Sequence, residues 1–426
     1  MSLSPSQVAL IKATVPILQQ HGQTITTVFY SNMLKAHPEL FSIFSKTNQA
    51  SGEQPRALAG ALLAYASHID DLGSLIPAVQ LIVNKHVSLY VQPEQYKIVA
   101  KYLLEGMQQV LGEALTPDIL DAWAAAYWQL ANLLIAKEGE LYQRDEGWTD
   151  WRDFRIVRKE PESSEITSFY LQPVAASSSS PLPPFLPGQY IGVQVYVPSL
   201  GHLQARQYSL SDQPRPDYYR ISVKKEEEKS GFGPGYVSNT LHDAYGVGDT
   251  IRVSHPAGDF FIQVETDDQP IVLIAAGVGL TPLTSMLNSL TKTATTTPDS
   301  ATKDSIRKIH FIHGAHSSQA RAFKNHINDL LANKSLSNFH ATFFTSTEHD
   351  SSSSTSPNSN NRLTELPGRV DLNRLDGSKD LFLDNSRTGY YVCGPKGFMA
   401  DVEKQLKDLG VGSDRIKMEV FGAGLA

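Results

Sequence analysis

Cysteine is almost absent: Cys393 stands alone among 426 residues. That excludes an intramolecular disulfide and points to a reducing compartment. Long apolar runs are missing too, none approaching the roughly 20 residues that cross a bilayer as a helix. Positive charge is in deficit, with 37 Lys and Arg against 44 Asp and Glu and a net charge of −7. This argues against a general nucleic-acid surface and against stable association with an anionic membrane. The opening stretch MSLSPSQVALIKATVP carries only Lys12 as a basic residue before Lys35, so it reads neither as a secretory signal nor as an Arg-rich transit peptide. The expectation is a cytoplasmic, monomeric protein with small-molecule partners.

What is present divides into three textures, too much chain for one ordinary core. The first is helical. Ser4-Pro5-Ser6-Gln7 predicts a capped helix start, Val8, Ile11, Val15 and Leu18 continue at helical spacing, Pro16 predicts a kink, and Gly22 predicts the end. Helices follow over about 25–34, 56–69, 77–90, 94–111 and 116–141, with a polar loop over 45–55. From Trp151 short strands take over (152–160, 166–174, 188–197, 206–212, 218–226, 249–257 and 258–264), the pattern of an antiparallel barrel. Apolar strands at 271–276, 308–313 and 390–393, alternating with helical stretches such as 317–332, then predict a parallel α/β sheet. The fold class expected is therefore multidomain: an all-α domain over 1–147, an antiparallel β-barrel domain over 148–265 and an α/β parallel-sheet domain over 266–426. Low-complexity runs at 177–184, 291–305 and 349–361 cannot build a core and read as surface insertions.

His86 raises the functional question. It lies on the stripe Val79, Ile82, Val83, His86, Tyr90. Alone, such a histidine reads as a packed core residue; the alternative is an axial haem ligand. Three features favour the ligand. The helical segment has globin size, Phe44 stands just before the polar loop, and Gln54 and Leu58 share one helical face where they, with Tyr30, would cover an iron opposite His86. Alone, Tyr96 reads as a core aromatic and Glu138 as a solvated residue.

These segments give a resemblance over nearly the whole chain. HPEL at 37–40, TNQ at 47–49, AYAS at 64–67, KH at 85–86, PEQY at 93–96, LDAW at 120–123 and the spaced Glu138, Glu140, Tyr142 resemble a flavohaemoglobin. The resemblance implies haem b with His86 as proximal ligand, Tyr30, Gln54 and Leu58 on the distal side, and Phe44 stacking on the ring. It makes Tyr96 and Glu138 the partners of the ligand histidine and counts Lys85, in the KH pair, among the cofactor-binding residues. A carboxylate behind the histidine would enrich the iron in electron density and favour activating O2 over storing it.

RQYSL at 206–210 suits a flavin: an aromatic to stack, a serine to reach the ring edge, an arginine to fork a pyrophosphate. With PGQY at 187–190 and GYVSN at 235–239 it resembles the FAD-binding segments of the ferredoxin–NADP reductase superfamily. Those segments supply Gln189, Tyr190, Arg206, Gln207, Tyr208, Ser209, Gly235, Val237 and Ser238. IVLIAAGVGLTP at 271–282 ends a strand in Gly277 and Gly279 and opens a helix at Thr281-Pro282, where a nucleotide pyrophosphate would meet backbone amides. CGP at 393–395 (Cys393, Gly394, Pro395) is the superfamily's second nicotinamide signature. Glu419 and Phe421 match residues that family members place near the flavin. Ser317 and Arg321 are candidates for the adenosine ribose or a 2′-phosphate. The cofactors implied are haem b, FAD and NAD(P)H. The activity implied is that of a nitric oxide dioxygenase, an NAD(P)H-dependent oxidoreductase using O2 and NO. The other readings are an O2-binding or sensing protein with a maintenance reductase, and a diaphorase or ferric reductase.

Overall fold

The computed structural model describes residues 3–144, 148–174, 182–228, 235–264, 268–296, 307–347 and 362–422. The predicted domain limits at 147/148 and 265/266, the insertion at 349–361 and most of the other two insertions lie in or beside stretches outside the described residues.

The helical region runs α1 (Pro5–Ala13), α2 (Val15–Ala36), α3 (Lys46–Ala50), α4 (Glu53–Ser67), α5 (Ile76–Val87), α6 (Pro93–Leu111) and α7 (Pro117–Arg144). The Ser4–Gln7 capping box forms as expected. The run is interrupted just before Pro16, but the end expected at Gly22 is not there. The break comes at Thr14, whose hydroxyl donates to the Ile11 carbonyl, and Pro16 sits in the first turn of α2 where its missing N–H costs nothing. Gly22 does not end a helix, because the buried stripe Leu18, Ile25, Phe29 and Met33 continues through it. The polar stretch at 45–55 is also more ordered than a loop. Ser45 caps α3 by accepting from the Asn48 amide, and Gly52, at φ +70°, turns the chain into α4.

The barrel strands are β1 (Arg152–Pro161), β2 (Ile166–Pro173), β3 (Tyr190–Val197), β4 (His202–Ser209), β5 (Tyr219–Lys224) and β6 (Thr250–Val253), with α8 (Tyr236–Asp243) following β5. They form one antiparallel sheet ordered β4-β3-β6-β1-β2-β5. A bridge between Leu210 and Ile221 joins its two edges and closes it. The expected strand over 258–264 is absent. Gly258 takes φ +119°, and Phe260 and Ile262 leave the barrel to pack into the core of the α/β unit.

That unit comprises β7 (Ile271–Ala276), α9 (Leu280–Thr296), β8 (Ile309–Ala315), α10 (Lys324–Ala332), β9 (Phe339–Thr345), β10 (Leu363–Pro367), β11 (Gly389–Cys393), α11 (Lys396–Asp408) and β12 (Ile416–Glu419). All its strands are parallel, in the order β10-β9-β8-β7-β11-β12. Strand order reverses between β7 and β11, the place where open α/β sheets bind ligands at the carboxyl ends of the strands. β9, β10 and β12 were not expected. β9 (FHATFFT) is buried at every residue but the half-buried His340 and lacks alternation, and the other two are short strands of four or five residues. The helix expected over 317–332 begins only at Lys324, since Phe323 adopts φ +58°.

Candidate functional site

His86 stands in the last turn of α5, whose Val79, Val83 and Val87 are buried. Its Nδ1 lies 2.8 Å from Glu138 Oε1 and 2.9 Å from the Tyr96 hydroxyl. Tyr96 donates to the same Oε1 at 2.6 Å. The Glu138 side chain is 3 % exposed, so two donors converge on a carboxylate that would be costly to bury without them. Burial, then the Glu138 charge, pushes the Tyr96 phenol well up, which keeps it protonated and donating. The outer nitrogen of His86, Nε2, has no hydrogen-bond partner among the described residues, and the side chain keeps 32 % of its surface.

Tyr30 belongs to the larger of two apolar clusters in the helical region, with half-buried Phe44 and Leu58 at its margin. The cluster behind His86 is separate and meets the first through Tyr127 and Leu130. The Phe44 ring meets the Tyr30 ring edge-on at 5.5 Å. Burial raises the Tyr30 phenol, partly offset by a hydrogen bond to Gln54. Gln54 Oε1 in turn accepts from Gln49 at 3.0 Å. Among the described residues no group of three or more His, Cys, Asp or Glu could hold a bare metal ion. A single free imidazole nitrogen, backed by a carboxylate and bordered by half-buried apolar side chains, fits a metal that brings its own planar ring of ligands.

A cleft of about 540 Å³ opens where the helices, the barrel and the α/β unit meet. Tyr190, Arg206, Gln207, Tyr208 and Ser209 line it from the barrel, Gly235, Val237 and Ser238 from the start of α8, and Thr281, Glu419 and Phe421 from the α/β unit. Lys85, next to His86, lines it from α5 and donates to the Gly422 carbonyl at 2.9 Å. The buried Tyr190 hydroxyl has no partner among the described residues. Burial, then the neighbouring Asp259, pushes the Glu419 carboxyl up to about 7, against the opposing pull of Lys85. A polar, aromatic-walled cleft with an orphaned hydroxyl and a helix start suits a flavin dinucleotide. Gln189 is not on this wall. Its amide is used inside the turn, accepting from the Leu186 N–H at 2.8 Å and donating to the Gly258 carbonyl at 3.2 Å.

Gly277 and Gly279 form the turn after β7, at the point where strand order reverses. Gly277 takes φ +54°, and a Cβ on Gly279 would stand 2.3 Å from the Cys393 carbonyl oxygen. The two nicotinamide signatures are thus in backbone contact, which only glycine permits. Pro282 lies in the first turn of α9 and Pro395 precedes α11; a Cβ on Gly394 would press on the Phe398 ring at 2.6 Å. Cys393 is fully buried, and burial raises its thiol well above the ordinary range, so it is no nucleophile. Arg321 turns inward, its guanidinium held by Glu365 and Thr345.

The sequence reading missed the helical side of the cleft. Ser45, Asn48 and Arg56 line it, and Ser45 accepts from Arg206 at 2.8 Å. The capping serine gave a signal for α3 but none for its neighbour across the cleft.

The fold and sites define a globin joined to a pyridine-nucleotide reductase module. Residues 27–134 match the globin family model, and residues 273–404 match the oxidoreductase NAD-binding domain. The flavohemoprotein of Bordetella parapertussis is 46% identical over 99% of both chains. A crystal structure of flavohemoglobin from Malassezia yamatoensis, with bound FAD and heme, superposes with a TM-score of 0.81 at 28% identity, covering 99% of this chain and 100% of that one. The FAD/NAD-binding domain of the Vibrio cholerae nitric oxide dioxygenase matches 64% of this chain and 99% of its own length, at 33% identity and TM-score 0.51. This chain belongs to the flavohaemoglobin family and is an NAD(P)H-dependent oxidoreductase. None of its helices, among the described residues, is long and apolar enough to cross a membrane.

Proposed function

We propose that the chain is a nitric oxide dioxygenase that detoxifies NO with O2 and NAD(P)H, working through haem b and FAD. The observation that carries this reading is the pair of neighbours on α5: His86 is backed by a buried carboxylate, and Lys85 lines the flavin cleft. An O2 store gains nothing from a carboxylate behind its histidine or from a reductase cleft one residue away.

FAD, when bound, would supply two-electron acceptance from NAD(P)H with release of single electrons, and haem would supply an iron at which O2 could oxidise NO to nitrate. The residues of the chain prepare each step. His86 Nε2 is the nitrogen left to hold iron. Glu138 accepts from the Nδ1–H, which sets the tautomer and makes the imidazole a stronger donor. Tyr96 donates to Glu138 and holds it in line. Tyr30 and Gln54 supply polar atoms on the far side, where Phe44 and Leu58 exclude water. Tyr190, Tyr208, Ser209 and Arg206 would hold the flavin, and the amides at the start of α8 would suit its diphosphate. Gly277, Gly279 and the start of α9 receive the nucleotide pyrophosphate. We place the domain limits at 1–147, 148–265 and 266–426.

The test is NO consumption at an electrode, with purified holoprotein and NADH in air-saturated buffer. The reading expects rapid consumption that needs both NADH and O2 and yields nitrate. Absence of consumption despite an intact haem spectrum and flavin reduction would overturn it.

A further inference from the structure

The helix that carries His86 does not end freely. Its last turn and the residues after it are fastened to the barrel at three places. Asn84 is buried, and its Oδ1 accepts from the Gly258 amide at 3.0 Å while its Nδ2 donates to the Gln80 carbonyl at 2.9 Å. Ser88 Oγ accepts from Gln207 at 2.8 Å, and its carbonyl lies so near Gly192 that a Cβ there would stand 2.2 Å from it. Tyr90 goes further. Its backbone adopts φ +53°, a left-handed turn that a helix end normally gives to glycine. Its ring is part of the barrel's own hydrophobic cluster, and its hydroxyl accepts from the His255 amide at 3.1 Å. A large side chain kept in a strained turn needs surroundings that hold it there. Here those surroundings belong to the barrel.

We propose that Asn84, Ser88 and Tyr90 are positioning residues that lock the His86 end of α5 to the flavin-binding barrel, fixing the spacing between His86 and the flavin cleft on which electron passage depends. They bracket His86 by two, two and four residues, so slack at any of them moves the imidazole relative to Tyr190 and Ser209. None of the three is among the residues that line the flavin cleft. Their loss is therefore expected to act mainly on the passage of electrons from flavin to haem. The inference rests on the proposed function, in which electrons cross between these two sites.

The experiment uses the holoenzyme with Tyr90→Ala, Asn84→Ala and the conservative Tyr90→Phe, each checked for haem and FAD content. Anaerobic mixing with NADH follows flavin bleaching and the ferric-to-ferrous haem spectrum separately. In Tyr90→Ala and Asn84→Ala, flavin bleaching should match wild type while haem reduction slows about tenfold, the scale of a small misplacement between reacting groups. Tyr90→Phe keeps the ring and should restore most of the rate. Hydrogen exchange gives a readout apart from turnover: the Leu89 and Val91 amides, bonded to the His86 carbonyl at 3.0 and 3.1 Å, should exchange about tenfold faster in Tyr90→Ala. Should Tyr90→Ala fail to fold, Asn84→Ala, which removes far less buried volume, carries the same test. Haem reduction at the wild-type rate in the variants would overturn the inference, as would equal slowing of flavin bleaching. If wild-type haem is not reduced by NADH at all, it is the proposed function that fails.

Discussion

His86 and Lys85 are neighbours on α5, yet they belong to sites finished to different degrees. Behind His86 the polar atoms are partnered within the chain: Glu138 Oε1 meets both Nδ1 and the Tyr96 hydroxyl. In the cleft that Lys85 lines, the Tyr190 hydroxyl has no partner among the described residues and the Glu419 carboxyl is pushed up to about 7. The difference separates two jobs. A histidine that must present one nitrogen in one tautomer needs its other nitrogen fixed beforehand. A cleft that receives a large polar cofactor keeps donors and acceptors in hand until the cofactor arrives.

The comparison breaks most visibly if Glu419 is ionised like an ordinary carboxylate. Its folded value of about 7 stands above the reference 4.5. The neutral acid therefore contributes stability that is fully present below about 4.5 and is lost as pH rises through about 7, a change of about 3 kcal/mol. In urea unfolding of the flavin-free protein, the stability of wild type relative to Glu419→Gln should fall by about 2–3 kcal/mol between about pH 5 and about pH 8, the variant serving to cancel the other titrating groups. Equal slopes would mean that the cleft is no less settled than the histidine side.

Next in size is Glu138→Gln. NO consumption should fall about 10- to 100-fold with haem content unchanged, the usual cost of altering a ligand's hydrogen-bond partner. Unchanged turnover would show that the partnered side of the comparison has no chemical consequence. Gly279→Ala tests the third contact region. Its new Cβ meets the Cys393 carbonyl oxygen at 2.3 Å, backbone that cannot swing away, so about 1–3 kcal/mol of stability should go. Flavin reduction by NADH should slow while the haem absorbance stays intact. Ser4→Ala is the smallest. Loss of the capping box should cost about 1 kcal/mol in thermal unfolding and leave both sites untouched; an effect on either would tie the N-terminus to chemistry from which it is remote.

Legibility followed the range of the interactions. The capping box at Ser4–Gln7 and the starts of α6 and α7 were readable because caps and prolines act within one turn. Gly22 misled because a continuous buried stripe outweighs one glycine. The segment at 258–264 alternates like a strand but is captured by another core, and β9 is buried on both faces, which erases alternation. Short motifs put Tyr208 and Ser209 on the cleft wall and Gly277 and Gly279 in the turn after β7, positions that their spacing alone suggests. Gln189 sat in such a motif and proved to serve its own turn.

The sequence alone settled the three textures, the helix carrying His86, the glycine turn after β7 and the family, since each is written in neighbouring residues or short spacings. The tertiary structure decided the rest. It brought Glu138 from α7 and Tyr96 from α6 onto one nitrogen of His86, set Ser45 against Arg206, and anchored Tyr90 in a core formed by another domain. Those contacts join residues that are remote in the chain and share no spacing, so they exist only once burial has brought the surfaces together.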